Sequence, residues 1–185
     1  MAKVHPKIDD ELKAWIEKQP VYFLASAPLE KEGHINLSPR GLDSFRVIGD
    51  NEVIMLDMTG SGNETASHLK QNGRLTVMFC AFEGDPRILR LYGEGRVVRE
   101  DDPLWADYRV KFPTNNVGVR QIFHLQVSRV QTSCGFGVPL MKLEAQRELL
   151  PNWAAKRGKQ AIDDYQKEKN SHSIDGLAAP GLAGD

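Results

Sequence analysis

Two apolar runs set the tightest limit on what this chain can fold into. Residues 74–82 and 88–99 each read as a long strand, and they lie close together in the sequence. Shorter strand signals surround them. Residues 21–27 form a buried-type run. Residues 34–38 alternate, with Ile35 and Leu37 on one face and Asn36 and Ser38 on the other. Residues 45–48 and 53–57 flank Gly49-Asp50-Asn51, which is hairpin chemistry. Phe123, Leu125 and Val127 alternate with His124, Gln126 and Ser128, as in a half-buried strand. Gly93 and Gly95 inside the second long run mark a bulge or a close backbone approach.

Helical signals are sparser. Ile8, Leu12, Trp15 and Ile16 share one helix face, with Asp9 and Asp10 at its start and Pro20 as its stop. Residues 66–72 form a short helix closed by Gly73. Asp102-Pro103 opens another, with Leu104, Tyr108 and Phe112 four residues apart. Residues 142–170 turn helical in composition, with breaks expected near Pro151 and Gly158. A small-residue tail of flexible character follows Ser171. About seven strands with so few helices between them exclude a doubly wound parallel sheet. The fold class is α+β, mainly β, on an antiparallel sheet or barrel.

A length of 185 residues, 41% hydrophobic and 26% charged, supports one domain with a real core. Lys and Arg total 24 against 25 Asp and Glu, so no net positive charge drives binding to nucleic acid or acidic membranes. Cys80 and Cys134 form no framework and no CxxC pair, and Cys134 reads as a small buried thiol beside a turn. The five histidines show no metal-ligand spacing, so no metal is expected. The first residues lack a signal-peptide stretch, and no run is apolar over the ~18 to 20 residues that span a bilayer, so the expected location is cytoplasmic.

Three segments carry candidate chemistry. The richest is Asp57-Met58-Thr59-Gly60-Ser61-Gly62-Asn63-Glu64-Thr65, between a strand and a helix. Glycines there admit a ligand to the backbone, free amides at a helix start favour anions, and Ser61, Asn63 and Thr65 add short donors. Ser61-x-x-Glu64 equally fits a capping box, the plain structural alternative. His68 follows on the same helix, where a surface position or a ligand contact are both open. The second segment is Asn36-Leu37-Ser38-Pro39-Arg40-Gly41, in which Arg40 is either a phosphate donor or a solvated turn arginine. The third is Arg87-Ile88-Leu89-Arg90-Leu91-Tyr92-Gly93, where Arg90 alternates with core-type residues. Nothing in these segments nominates a catalytic acid, base or nucleophile.

The order and spacing of these segments from about Val21 to Val138 resemble the pyridoxamine 5'-phosphate oxidase-like family of FMN-binding split barrels. Arg90-Leu91-Tyr92-Gly93-Glu94-Gly95-Arg96 is similar to that family's strand running into a glycine bulge. The resemblance implies an antiparallel split β-barrel over 21–140, preceded by a helical segment, 1–20, of the same domain. A helical extension and tail, 141–185, follow. It further implies a homodimer with two FMN sites at the subunit interface, acting on a small-molecule substrate. By the resemblance, Ser38, Pro39, Arg40, Asp57, Met58, Thr59, Ser61, Gly62, Asn63, Thr65 and His68 lie on the phosphate and ribityl side. Arg87, Leu89 and Arg90 come from the partner. The implied function is an FMN-dependent oxidoreductase. The alternative is a non-catalytic carrier or sensor binding another flavin or haem. Two departures stand out. Glu64 and Thr65 occupy the place of the family's Arg-Lys pair, which shifts the cationic load to Arg40 and to Arg87 or Arg90. The end of the chain lacks the Arg- and His-containing segment that holds the vitamin phosphate, so pyridoxamine phosphate itself is not the expected substrate.

Overall fold

The computed structural model describes residues 2–113 and 117–183. The last two residues of the tail, Gly184 and Asp185, lie outside them. In chain order the elements are β1 (Lys3–His5), α1 (Asp10–Glu17), β2 (Tyr22–Ser26), β3 (Asn36–Arg40), β4 (Phe45–Gly49), β5 (Glu52–Met58), α2 (Glu64–Asn72), β6 (Arg74–Cys80), β7 (Ile88–Val98), α3 (Trp105–Arg109), β8 (Val119–Ser133) and α4 (Leu149–Lys169). Among the described residues the strands form a single eight-stranded sheet. Its order is β3-β2-β6-β7-β8-β5-β4, with β1 added to the far end of β8. Every pairing is antiparallel. The sheet does not close. β3 and β4 are its free edges, which makes the architecture a split barrel.

Burial explains the patterns. β5 is covered on both faces: Val53 and Met55 join the barrel core, while Ile54, Leu56 and Met58 join a second cluster with Val98, Ile122, Tyr108 and Phe112. A strand buried on both sides reads as a continuous apolar run, not as an alternation. β8 alternates because Phe123, Leu125 and Val127 enter the main core while Gln126 and Ser128 meet solvent. α1 plugs the barrel with Leu12 and Ile16, and Asp9 caps it by accepting the Leu12 amide at 2.9 Å. The expected bulge lies between Tyr92 and Gly93 in the β7–β8 ladder. A Cβ at Gly93 would sit 2.0 Å from the Gln126 carbonyl oxygen, so only glycine fits.

Several expectations are corrected. Helix does not begin at 142; it begins at Leu149, and Pro151 sits in its first turn, where a missing N–H costs nothing. The break at Gly158 is real, at φ 77° and ψ 164°. The tail is packed, not flexible in character: His172 pairs with Ala178, and Ala179 is fully buried. Cys134 is exposed and Cys80 buried. The apolar face of residues 34–38 turns outward, leaving Leu37 of the edge strand β3 63% exposed and Ile35, just before it, 77% exposed. Among the described residues no helix is long and apolar enough to cross a membrane.

Candidate functional site

A cleft of about 610 Å³ opens where the barrel is split. One wall is β3 and the turn after it, with Asn36, Ser38, Pro39, Arg40, Gly41 and Leu42. The opposite wall is the end of β5 and the loop into α2, with Leu56, Met58, Gly60, Ser61, Gly62, Asn63, Glu64 and Thr65. Arg120 and Phe123 of β8 lie at the base, and Leu150 and Ile174 close it from the C-terminal side. Two segments separated in sequence by residues 43–55 thus meet because antiparallel β2–β3 pairing returns β3 to the sheet edge beside the α2 start.

Beneath the cleft lies a charged hub. Asp57 is fully buried and forms ion pairs with Arg40 and with Arg120, whose Nη2 lies 2.8 Å from Oδ2. Arg120 Nε and Gln121 Nε2 donate to the same oxygen at 2.9 and 2.8 Å. Burial pushes the Asp57 carboxyl up, but the guanidinium groups of Arg120 and Arg40 outweigh it and hold the group below the usual carboxylate range. Arg120 also donates to the Gly62 carbonyl at 2.9 Å, and Gln121 to Asn63 Oδ1 at 2.7 Å, so β8 supports the loop from below. On β3, Ser38 donates to Asn36 Oδ1, and Asn36 donates to Thr65 Oγ1, at 2.9 and 3.0 Å.

The capping box does not form. Asn63 is the N-cap of α2, without a side-chain cap bond, and Glu64 Oε2 instead accepts the Ile174 amide at 3.0 Å. Among the described residues, the amides of Ser61, Gly62, Asn63, Glu64 and Thr65 meet no protein acceptor. They border the cleft as the positive end of a helix.

The candidate residues fall into three groups. Ser38, Pro39, Arg40, Met58, Ser61, Gly62, Asn63 and Thr65 line the cleft together. Asp57 and Thr59 are fully buried below it: Asp57 orients arginines, and Thr59 donates to the Gly118 carbonyl at 2.9 Å. The other four lie elsewhere in the same chain. His68 faces β2, fully buried, with Nδ1 2.9 Å from Ser26 Oγ, and burial pushes its pKa down. Leu89 is a core side chain with no exposed surface. Arg87 pairs with Glu11 at 3.2 Å and lies over the Trp15 ring, while Arg90 donates to Ser133 Oγ at 3.2 Å.

Sequence reasoning missed Arg120, Gln121, Leu150 and Ile174. A charged residue at the start of the β8 run, 4% exposed in the fold, was the available signal for Arg120. The C-terminal pair had none, because only the return of the tail brings them near.

Fold and cleft together define an antiparallel split barrel whose opening is lined by guanidinium, hydroxyl and amide donors together with apolar side chains. A family model described as pyridoxamine 5'-phosphate oxidase matches residues 8–134. An Aspergillus flavus protein, the pyridoxamine 5'-phosphate oxidase family protein ustO, is 40% identical over 196 residues, spanning 96% of this chain and 77% of that one. The chain belongs to the pyridoxamine 5'-phosphate oxidase family. Among solved structures, HupZ from Group A Streptococcus superposes with a TM-score of 0.52 at 20% identity, over 66% of this chain and 91% of that one. A candidate pyridoxamine 5'-phosphate oxidase from Lactobacillus delbrueckii gives 0.52 at 17%, over 69% and 98%. Both likenesses concern the fold.

Proposed function

We propose that this protein is an FMN-binding oxidoreductase acting on a small molecule, with its cleft as the cofactor site. The observation that carries the reading is the convergence in one cleft of Arg40, the hydroxyls of Ser38 and Ser61, and the unpaired amides at the α2 start. A phosphate dianion requires such donors. The volume suits a cofactor of this size. Leu56, Met58, Phe123 and Leu150 supply the apolar surface an isoalloxazine ring requires. The donor set does not fit haem as well. Among the described residues lining the cleft there is neither histidine nor cysteine.

When bound, FMN supplies the electron-transfer chemistry. The chain's own residues bind and orient. Asp57 holds the Arg40 guanidinium at the cleft wall, and Arg120 neutralises the rest of the Asp57 charge, so the cleft does not present an unpaired carboxylate there. Glu64 is engaged by the tail.

Purified protein titrated with FMN is expected to quench flavin fluorescence at a one-to-one ratio per chain. Arg40→Ala should weaken FMN on the order of ten- to a hundred-fold and riboflavin much less. Arg96→Ala, whose guanidinium pairs with Asp102 at 2.6 Å away from the cleft, should change neither. Equal losses for FMN and riboflavin with Arg40→Ala would assign Arg40 to the fold. Absence of any flavin binding by the unaltered protein would overturn the reading.

A further inference from the structure

The turn that joins β3 to β4 lies on the cleft wall and carries a backbone cost. Leu42 has φ 61° and Asp43 has φ 53°, and among the described residues they are the non-glycine positions at positive φ. Two such residues in succession are the pattern of a hairpin turn, in which glycine, asparagine and aspartate are the usual occupants. Asp43 meets that preference. Leu42 does not: in the left-handed region its Cβ crowds the following carbonyl oxygen, and leucine has no short polar group to offset the contact. The turn closes no hairpin either, because β3 pairs with β2 and β4 with β5.

The surrounding contacts hold this conformation firmly. Arg46 forks the Asp43 carboxylate, with Nη1 2.7 Å from Oδ1 and Nη2 2.9 Å from Oδ2. Ser44 Oγ donates to the Gly41 carbonyl at 2.5 Å and lies 3.0 Å from Tyr22 Oη. The Leu56 amide donates to the Ser44 carbonyl at 2.8 Å, so the turn stands beside one of the apolar residues of the cleft. Nothing inside the fold offsets the cost at Leu42. Its side chain is half-buried, joins neither hydrophobic cluster and lines the cleft. Backbone strain held in place beside a cleft, without core packing to balance it, points to a ligand.

We infer that Leu42 is a binding residue for the flavin ring: the strained turn holds its side chain in the cleft, where it and Leu150 make apolar contact with the isoalloxazine. The inference rests on the reading of the cleft as an FMN site and adds a contact that acts on the ring and not on the phosphate. The Leu42 side chain carries neither donor nor charge, so burial of its remaining apolar surface is its means of binding. Arg40 lies on the same wall and acts through charge. The two residues therefore differ in what they do to the ratio of FMN to riboflavin affinity: loss of Arg40 narrows it, and loss of Leu42 leaves it as it was.

The test is fluorescence titration of full-length variants with FMN and with riboflavin, together with a thermal melt of each variant without ligand. Leu42→Asn places a residue suited to the left-handed turn and removes the apolar contact. It is expected to weaken both flavins by the same factor, about tenfold. Relief of the strain should at the same time raise its melting temperature by about 2–4 °C. Leu42→Met keeps an apolar side chain of similar volume and is expected to hold both affinities within about twofold. Leu140→Ala, which removes an exposed apolar side chain outside the cleft, should change neither affinity. Unchanged flavin affinity in Leu42→Asn would overturn the inference and leave the FMN reading intact. A loss confined to FMN would also overturn it, by assigning the turn to the phosphate. A lowered melting temperature in Leu42→Asn would make Leu42 a residue of the fold and overturn it as well. Failure of the unaltered protein to bind either flavin would overturn the FMN reading and the inference with it.

Discussion

Asp57 is the residue on which the cleft depends most. It has no solvent contact and serves two arginines and Gln121 at once. A buried pair broken by removing one partner leaves an uncompensated charge, which typically costs about 3–5 kcal/mol. Asp57→Asn should therefore lower the stability of the ligand-free protein by about that much in a denaturant melt, because two guanidinium groups lose their counter-ion. The same pairing sets an acid dependence. The folded carboxyl titrates below its unfolded value, so its contribution is fully present above the unfolded value of ~3.9. It disappears as pH falls through the folded value. Melting temperature against pH should drop in that acid window for the unaltered protein, and part of the drop should be missing in Asp57→Asn. Parallel curves would remove Asp57 as its source.

At the scale of elements, β7 and the C-terminal tail carry the sharpest consequences. The β7 bulge brings Gly93 so close to the Gln126 carbonyl that a methyl group cannot be accommodated without moving two backbones. Gly93→Ala should destabilise by at least about 1–3 kcal/mol, the usual range for overpacking, in a urea melt. A value near zero would mean that the ladder shifts freely. The tail is fastened to the β2–β3 turn by Asp175, which accepts the His34 amide at 2.8 Å and pairs with His34 Nδ1 at 2.6 Å. The hydrogen bond and charge of Asp175 raise the His34 pKa, and His34 lowers that of Asp175. The His34 contribution is present below its unfolded value of ~6.5 and is lost as pH rises through the raised folded value. The Asp175 contribution is present above its own unfolded value and is lost as pH falls through the lowered folded one. Between those limits the latch holds. Hydrogen exchange at residues 173–177 should quicken as pH is raised through the histidine range, beyond the intrinsic rate increase, and His34→Ala should abolish that excess. His34 is exposed and Asp175 half-buried at the surface, so global stability should move little.

At the scale of the molecule, the open edge of the sheet is the feature that a single chain leaves unresolved. Among the described residues β3 pairs only with β2; Leu37 on it and Ile35 just before it face solvent, while Ser38 and Arg40 line the cleft. An exposed edge with apolar side chains invites pairing or cover. Closed two-fold dimers are the commonest form that such cover takes. We expect a homodimer in solution, with the clefts beside the shared surface. Sedimentation with FMN present should give about twice the 20.7 kDa of the chain. A monomer at micromolar concentration would exclude it, and with it any contribution of Arg87 or Arg90 to a neighbouring cleft.

The fold was written locally. Period-two and continuous apolar runs, the glycine bulge in β7, the Asp9 cap and the Gly73 stop each act within a few residues, and each can be read from neighbouring letters. The co-location of Arg40 with the loop at 59–65 came from family resemblance, and strand pairing supplies its physical cause. What tertiary structure alone decided are the partners of charged and amide side chains. Whether Arg120 reaches solvent or Asp57, whether Asn63 caps its helix or turns to Gln121 and Asn170, and whether Glu64 meets Ser61 or the tail are settled by chain segments 58 to 110 residues away. Local propensity favours the cap in the last two of those competitions. Burial removes water as the alternative partner, and a buried polar group then takes whichever neighbour the packed fold brings within reach.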